Sequence, residues 1–281
     1  MAILTISREY GSGGREIGKR VAARLGYRYA DKELLFQDLE KGGPRWGRVA
    51  RELDEVCPTV WERYDWQYRG YVALVESLIL TYAADDKVVI IGRGGSFLLE
   101  GVPFCLRARL VAPLEVRLEH IMERERLSRV AAERLITQVD GDRACFIKAN
   151  YGSEWNEDRF YDMTLNTSSL AYDQVVDILV EALGEKDRLA TPEARAELER
   201  KALAHRLKAR VATDPRVCVP TLQGSIDSIS CHRAGRGHQV KTKILRGHQA
   251  AGEFLHRNYR EFPRRQLVVQ QQQGILLLPT A

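Results

Sequence analysis

The chain has 281 residues, 44% of them apolar, and a formal net charge of +5. That length accommodates one α/β core of about 180–200 residues plus something smaller, and no apolar run reaches the roughly 18–20 residues of a membrane span. The opening has no signal-peptide pattern, and the five scattered cysteines (Cys57, Cys105, Cys145, Cys218, Cys231) form no C-x-x-C pair, so neither a disulfide framework nor a zinc site is expected and the compartment reads as cytoplasmic.

In chain order, Ile3, Leu4 and Ile6 read as a buried strand that breaks at Gly11, Gly13 and Gly14. Ile17, Val21, Ala22 and Leu25 then mark one face of a helix. A strand, a glycine turn and a helix N-terminus together make a phosphate cradle, because inward N–H groups and the helix dipole both favour an anion. Laid on the P-loop spacing, Arg15 takes the lysine position and Glu16 that of the metal-binding hydroxyl. Glu16 cannot copy a hydroxyl ligand, so Ser12 or a water is left to serve the metal, whose ligands are otherwise unknown.

Tyr27–Asp31 reads as a second short strand ending in an acid, and Lys32 to about Leu39 as a helix. Gly42-Gly43-Pro44 interrupts the pattern before an aromatic-rich helical region that runs to about Ala84. Residues 87–91 form an apolar run typical of a buried parallel strand and lead into Gly92-Arg93-Gly94-Gly95. Leu106–Val111 gives another strand, Pro113 to about Glu125 a helix, and Ser128 caps a further helix carrying Asp142, Arg143 and Lys148. Met163–Asn166 and Tyr172–Leu183 complete an alternation that implies a parallel sheet covered on both faces. The expected fold is therefore an α/β three-layer sandwich over residues 1–185. Residues 186–281 would form a small α+β or partly disordered unit opening with a helix at 193–212. From Thr221 onward nine Lys/Arg face three acids. This basicity admits nucleic acid or an anionic membrane surface, but composition favours solvated polypeptide without nucleic-acid contact.

Ligands of parallel sheets sit beyond the strand C-termini, where Ser7–Arg15, Asp31 and Gly92-Arg93 all fall. Phosphoryl transfer needs two substrates held in line and positive charge around the moving group. Gly11–Arg15 would hold a donor's phosphates and Arg93 would grip an acceptor phosphate through its fork. Arg143, with Asp142 and Lys148, would close as a lid over the transferring group.

The segments Ile6–Ile17, Tyr29–Leu34, Ile91–Gly95, Asp142-Arg143 with Tyr151-Gly152, and Tyr161–Thr167 resemble, in order, the cytidylate-kinase-like family of P-loop nucleoside monophosphate kinases. The resemblance covers about residues 1–185. It implies transfer of phosphate from ATP, with Mg²⁺, to a nucleoside monophosphate, CMP or dCMP foremost. It also implies ATP contacts from Gly11, Ser12, Gly13, Gly14, Arg15 and Glu16, acceptor contacts from Asp31, Arg93 and Asp142, and catalytic roles for Arg15, Arg93 and Arg143. Ordinary cytidylate kinases carry lysine at the place of Arg15, a small or hydroxyl residue at that of Glu16 and an acid at that of Ile91. The alternative expectation is a nucleotide-sensing regulatory protein with a kinase-like core and little or no turnover.

Overall fold

A computed structural model describes residues 2–214 and, beyond them, the backbone of segments 222–224, 228–231, 242–245, 268–272 and 275–279. The elements in order are β1 (Ile3–Arg8), α1 (Gly14–Leu25), β2 (Arg28–Ala30), α2 (Lys32–Lys41), α3 (Pro44–Leu53), α4 (Trp66–Ala84), β3 (Val88–Ile91), α5 (Gly95–Leu98), β4 (Cys105–Val111), α6 (Leu114–Glu125), α7 (Arg129–Tyr151), β5 (Met163–Asn166), α8 (Tyr172–Asp187) and α9 (Pro192–Thr213). Five parallel strands line up as β2-β3-β1-β4-β5. Leu4 lies opposite Val89 on one side and Leu106 on the other, which makes β1 the central strand.

Because side chains alternate across a strand, β1 feeds two cores. Leu4 and Ile6 join Val89, Ile91, Leu106 and Ala108 beneath α1 and α8, where Ile17, Val21, Val175 and Leu179 complete the packing. Ile3 joins Val88, Ile90 and Cys105 on the opposite face, against Leu35, Tyr71, Val75, Ile79 and Leu80 of α2 and α4. Both faces are covered, so β3 is apolar throughout and β1 mostly so, and the sandwich has three layers.

Packing assigns α9 differently from the sequence. The division expected at 185/186 falls within the last turn of α8. Leu198 and Ala202 of α9 lie in the same core as α4. Lys208 Nζ and His205 Nδ1 of α9 also reach the buried Glu76 carboxylate on α4, at 2.6 and 3.2 Å. Burial would raise the Glu76 pKa, but Lys208 and His205 outweigh it and hold the carboxyl at about 2. Arg195 of α9 pairs with Asp86 as well. The helix thus belongs to the first unit, whose packed chain runs to about Asp214.

Beyond it, β6 (Leu222–Gly224), β7 (Ser228–Cys231), β8 (Thr242–Leu245), β9 (Val268–Gln272) and β10 (Ile275–Pro279) pair antiparallel in the order β6-β7-β9-β10-β8. The basic side chains of this region, and hence its expected partners, lie outside the described residues. Among the described residues no helix is long and apolar enough to cross a membrane.

Candidate active site

A cleft of about 740 Å³ opens at the C-terminal edge of the sheet. Gly11, Gly13, Gly14, Arg15, Glu16, Asp31, Arg93, Asp142 and Arg143 all line it. The glycine turn follows β1 with Gly11 at φ 89° and Gly13 at φ 78°, a left-handed backbone that glycine adopts without steric cost. Gly13 caps α1, and no side chain takes up the helix's first N–H groups, which have no partner within the helix. A side chain at Gly13 would also collide with the Tyr172 ring. From the other side His120 Nδ1 lies 2.8 Å from Gly11 O. Asp140 Oδ1 accepts from Tyr10 N at 2.8 Å while Oδ2 accepts from Arg117 at 2.5 Å, so α6 and α7 clamp the turn.

Two cradle side chains rest elsewhere than the sequence reading places them. Ser12 is fully buried and its hydroxyl lies 2.8 Å from Glu9 O and 3.2 Å from Leu110 O. Those carbonyls turn it out of the cleft, so it is not placed to meet a metal or ATP. Arg15 lines the cleft but reaches sideways, with Nη2 donating to Glu33 Oε1 at 2.8 Å. Glu16 pairs with Arg20 at 2.9 Å on the exposed helix surface. Asp31 caps α2, its Oδ1 accepting from Glu33 N and Leu34 N. Burial, and then the neighbouring Glu33 carboxyl, raise the Asp31 pKa.

The centre of the cleft is a buried charge cluster. Arg93 is 4% exposed and donates from Nε and Nη2 to the two oxygens of Asp54, at 3.0 and 2.5 Å. Glu55 Oε1 accepts from Arg8 Nη1 at 3.3 Å and from Arg93 N at 2.8 Å. Its Oε2 accepts from Arg8 Nη2 and Arg143 Nε, both at 3.3 Å, and lies 3.9 Å from Arg93 Nη1. Burial would raise the Glu55 pKa, yet Arg8, Arg93 and Arg143 hold it well below the carboxylate norm. Burial first, and Arg8 next, pull Arg143 down to about 10.

Backbone strain accompanies the cluster. Gly92, Arg93 and Gly94 are successive left-handed residues, at φ 73°, 52° and 72°, and Glu55 sits at φ 51°. For the non-glycine pair this costs about 1–3 kcal/mol each and marks a position that its surroundings dictate. A side chain at Gly92 would run into Arg8 and Glu55, so the glycine is set by the close approach of the ion pairs. Beside the cluster, the buried hydroxyls of Tyr71 and Tyr151 have no hydrogen-bond partner among the described residues.

The residues of the expected lid do not form an open arm. Arg143 is already buried against Glu55 and Arg8 O rather than poised on an open arm. Lys148 points away to Glu154, at 2.5 Å. A disulfide joins Cys57 to Cys145, against the expectation of none. It ties the segment after α3 to α7, two residues beyond Arg143.

The profile of the cytidylate kinase-like family matches residues 3–169. The chain belongs to the cytidylate kinase-like family. Membership makes it a kinase-type phosphotransferase built to bind nucleotides. A cytidylate kinase from Methanocaldococcus jannaschii is 24% identical over 184 residues, 64% of this chain and 97% of that protein. One from Pyrococcus horikoshii is 24% identical over 197 residues, 70% of this chain and 96% of that protein. A uronate isomerase from Corynebacterium glutamicum is 36% identical over 106 residues, 37% of this chain, and the match spans only 20% of that protein. Among solved structures, an uncharacterized protein from Eubacterium ventriosum superposes with a TM-score of 0.52 at 22% identity, covering 66% of this chain and 99% of its own. That likeness bears on the fold alone.

Arg8, Asp54 and Glu55 carried no assigned role in the sequence. Arg8 stands inside the matched opening segment, and its position at the end of the strand, two residues past Ile6, was the available signal. Asp54 and Glu55 lie in the stretch between Gly42 and Ala84, which has no counterpart among the matched segments, and nothing local distinguishes them from a charged helix end.

Proposed function

We propose that the protein transfers the terminal phosphate of ATP to a nucleoside monophosphate, with CMP or dCMP the foremost acceptor. The observation that carries this reading is the convergence on one cleft of an uncapped helix start behind a glycine turn and three arginines, of which Arg93 and Arg143 are buried and Arg8 half-buried. The first supplies N–H groups for donor phosphates, and the second supplies preorganised positive charge for a second phosphate and for the group in transit.

In this reading Gly11, Gly13, Gly14 and the first turn of α1 hold the donor, and Arg15 swings from Glu33 to the β/γ-phosphates. Arg93 and Arg8 hold the acceptor phosphate, Arg143 stabilises the transferring group, and Asp31 and Asp142 orient the acceptor. Among the described residues no three His, Cys, Asp or Glu side chains gather into a metal-holding group. The cleft instead offers separate carboxylates, among them those of Glu16, Asp31 and Asp142, which fits Mg²⁺, an ion usually held by one or two carboxylates plus substrate phosphates. When bound, it would neutralise charge across the donor's phosphates.

The test is turnover of ATP by the full chain against a panel of nucleoside monophosphates. Formation of ADP and a nucleoside diphosphate supports the reading, with the best acceptor naming the base. Tight ATP binding without transfer to any acceptor supports the nucleotide-sensing alternative, which the sideways pairing of Arg15 favours.

A further inference from the structure

The three arginines that the proposed reaction needs are already spoken for. Both Nη atoms of Arg8 donate to Glu55, and Nε, Nη1 and Nη2 of Arg93 donate to Asp54 or to Ile91 O. Arg143 donates from Nε to Glu55 and from Nη1 to Arg8 O. The fit at Glu55 is incomplete. Its two oxygens serve three guanidiniums, and the Arg8 and Arg143 contacts are 3.3 Å where charge-assisted bonds run about 2.7–2.9 Å. A phosphate monoester brings three acceptor oxygens and up to two charges to the same donors. Behind the cluster a partly open space of about 20 Å³ has room for about one water and not for a phosphate.

We propose that the Glu55 carboxylate is an internal occupant of the acceptor-phosphate site, holding Arg8, Arg93 and Arg143 at rest and displaced when the acceptor's phosphate arrives. This deepens the reading above and rests on it. The segment is suited to leaving. Glu55 is in a left-handed conformation that is relaxed once its anchors are lost. The stretch after it exposes Val56, Val60, Trp61 and Tyr64, so its movement uncovers little core. The Cys57–Cys145 bond limits how far it goes and keeps the carboxylate at high local concentration beside the arginines. A carboxylate that only scaffolds the arginines makes the opposite prediction, because its removal would scatter them and weaken phosphate binding.

The experiment is calorimetric titration of the full chain with inorganic phosphate and with CMP, using wild type, Glu55→Gln and Cys145→Ser, and with ADP as a control for the donor side. Glu55→Gln is expected to bind both acceptor-side probes about tenfold more tightly, with ADP affinity unchanged. Cys145→Ser keeps every charge but frees Cys57, and is expected to tighten both by about threefold. Unchanged or weaker phosphate binding by folded Glu55→Gln overturns the proposal and makes Glu55 a scaffold. Should that variant fail to fold, Cys145→Ser decides alone, and an unchanged or raised Kd overturns the proposal. If none of the three proteins binds phosphate or CMP while all bind ADP, the acceptor reading itself falls, and this inference with it.

Discussion

Arg93→Ala removes the guanidinium that joins both halves of the charge cluster. What remains is Asp54, stripped of a two-pronged partner at 2.5 and 3.0 Å, and Glu55 with two arginines in place of three. Removing one member of a buried pair costs about 3–5 kcal/mol, because the partner's charge stays buried. For a unit of this size that is about 10 °C of Tm, at about 2–4 °C per kcal/mol. Arg93→Gly should be about 1 kcal/mol more stable than Arg93→Ala, since glycine relieves the left-handed backbone at φ 52°. Urea unfolding followed by circular dichroism measures each cost, and the cycle with Asp54→Ala isolates the pair. The double variant should recover about 2 kcal/mol of the summed single costs. Kinetics taken well below the lowered Tm should show KM for the monophosphate rising far more than KM for ATP. A cost under about 1 kcal/mol, or costs that simply add, would refute the reasoning that Arg93 is held by desolvated ion pairs. Equal KM effects on both substrates would separate it from the acceptor.

Lys208→Met should cost about 3 kcal/mol at pH 7, because Glu76 keeps its folded pKa at about 2 through Lys208 and His205 against burial. A depressed carboxyl stabilises above its unfolded value near 4.5 and loses that stability as pH falls toward 2. The gap between wild type and variant, read by urea unfolding, should therefore shrink below pH 4.5, and a gap independent of pH would refute the linkage. A chain ending at Gly184 should aggregate or unfold, because it bares the α4 face that Leu198 and Ala202 cover and strands Glu76; one ending at Asp214 should unfold cooperatively in circular dichroism. Soluble, cooperative folding of the shorter chain would restore the division near residue 185. Arg15→Ala should lose about 2–4 kcal/mol of transition-state stabilisation in kcat/KM and Arg15→Lys less, whereas a near-normal rate in Arg15→Ala would remove Arg15 from the donor site.

The sheet and its helices were legible because the central strands carry short apolar runs that lead into glycine-rich joints, as at Ile3–Arg8 and Val88–Ile91. The line of cleft residues was legible for the same reason, since strand ends are visible in sequence and ligand sites follow them. What escaped was long-range. Asp54 and Glu55 reach the arginines only through the fold, across 39 residues to Arg93 and 88 to Arg143. Cys57 and Cys145 are likewise 88 residues apart, with no spacing to signal a pair. Ser12 looked like a ligand because hydroxyls in glycine turns often are, and the positions of Glu9 O and Leu110 O turn it inward. The α9 helix was separated by the composition shift after it, although its own apolar residues, Leu198 and Ala202, pack on α4.

The central place of β1 has a consequence for how the chain acquires its structure during synthesis. Leu4 pairs with Val89 and with Leu106, so the strand that carries the glycine turn has no neighbour until about 85 further residues have emerged. At about 5–20 residues per second, that is a wait of about 4–17 s for a short segment carrying Ile3, Leu4 and Ile6 with unpaired edges. Helices α1 to α4 form from local contacts in that interval, while the parallel pairings must close long loops before any strand bond compensates. The phosphate cradle, although encoded in the first seventeen residues, is therefore assembled only after β3 and β4 arrive, and slowing translation between residues 8 and 88 prolongs the exposure of the central strand, which feeds both cores.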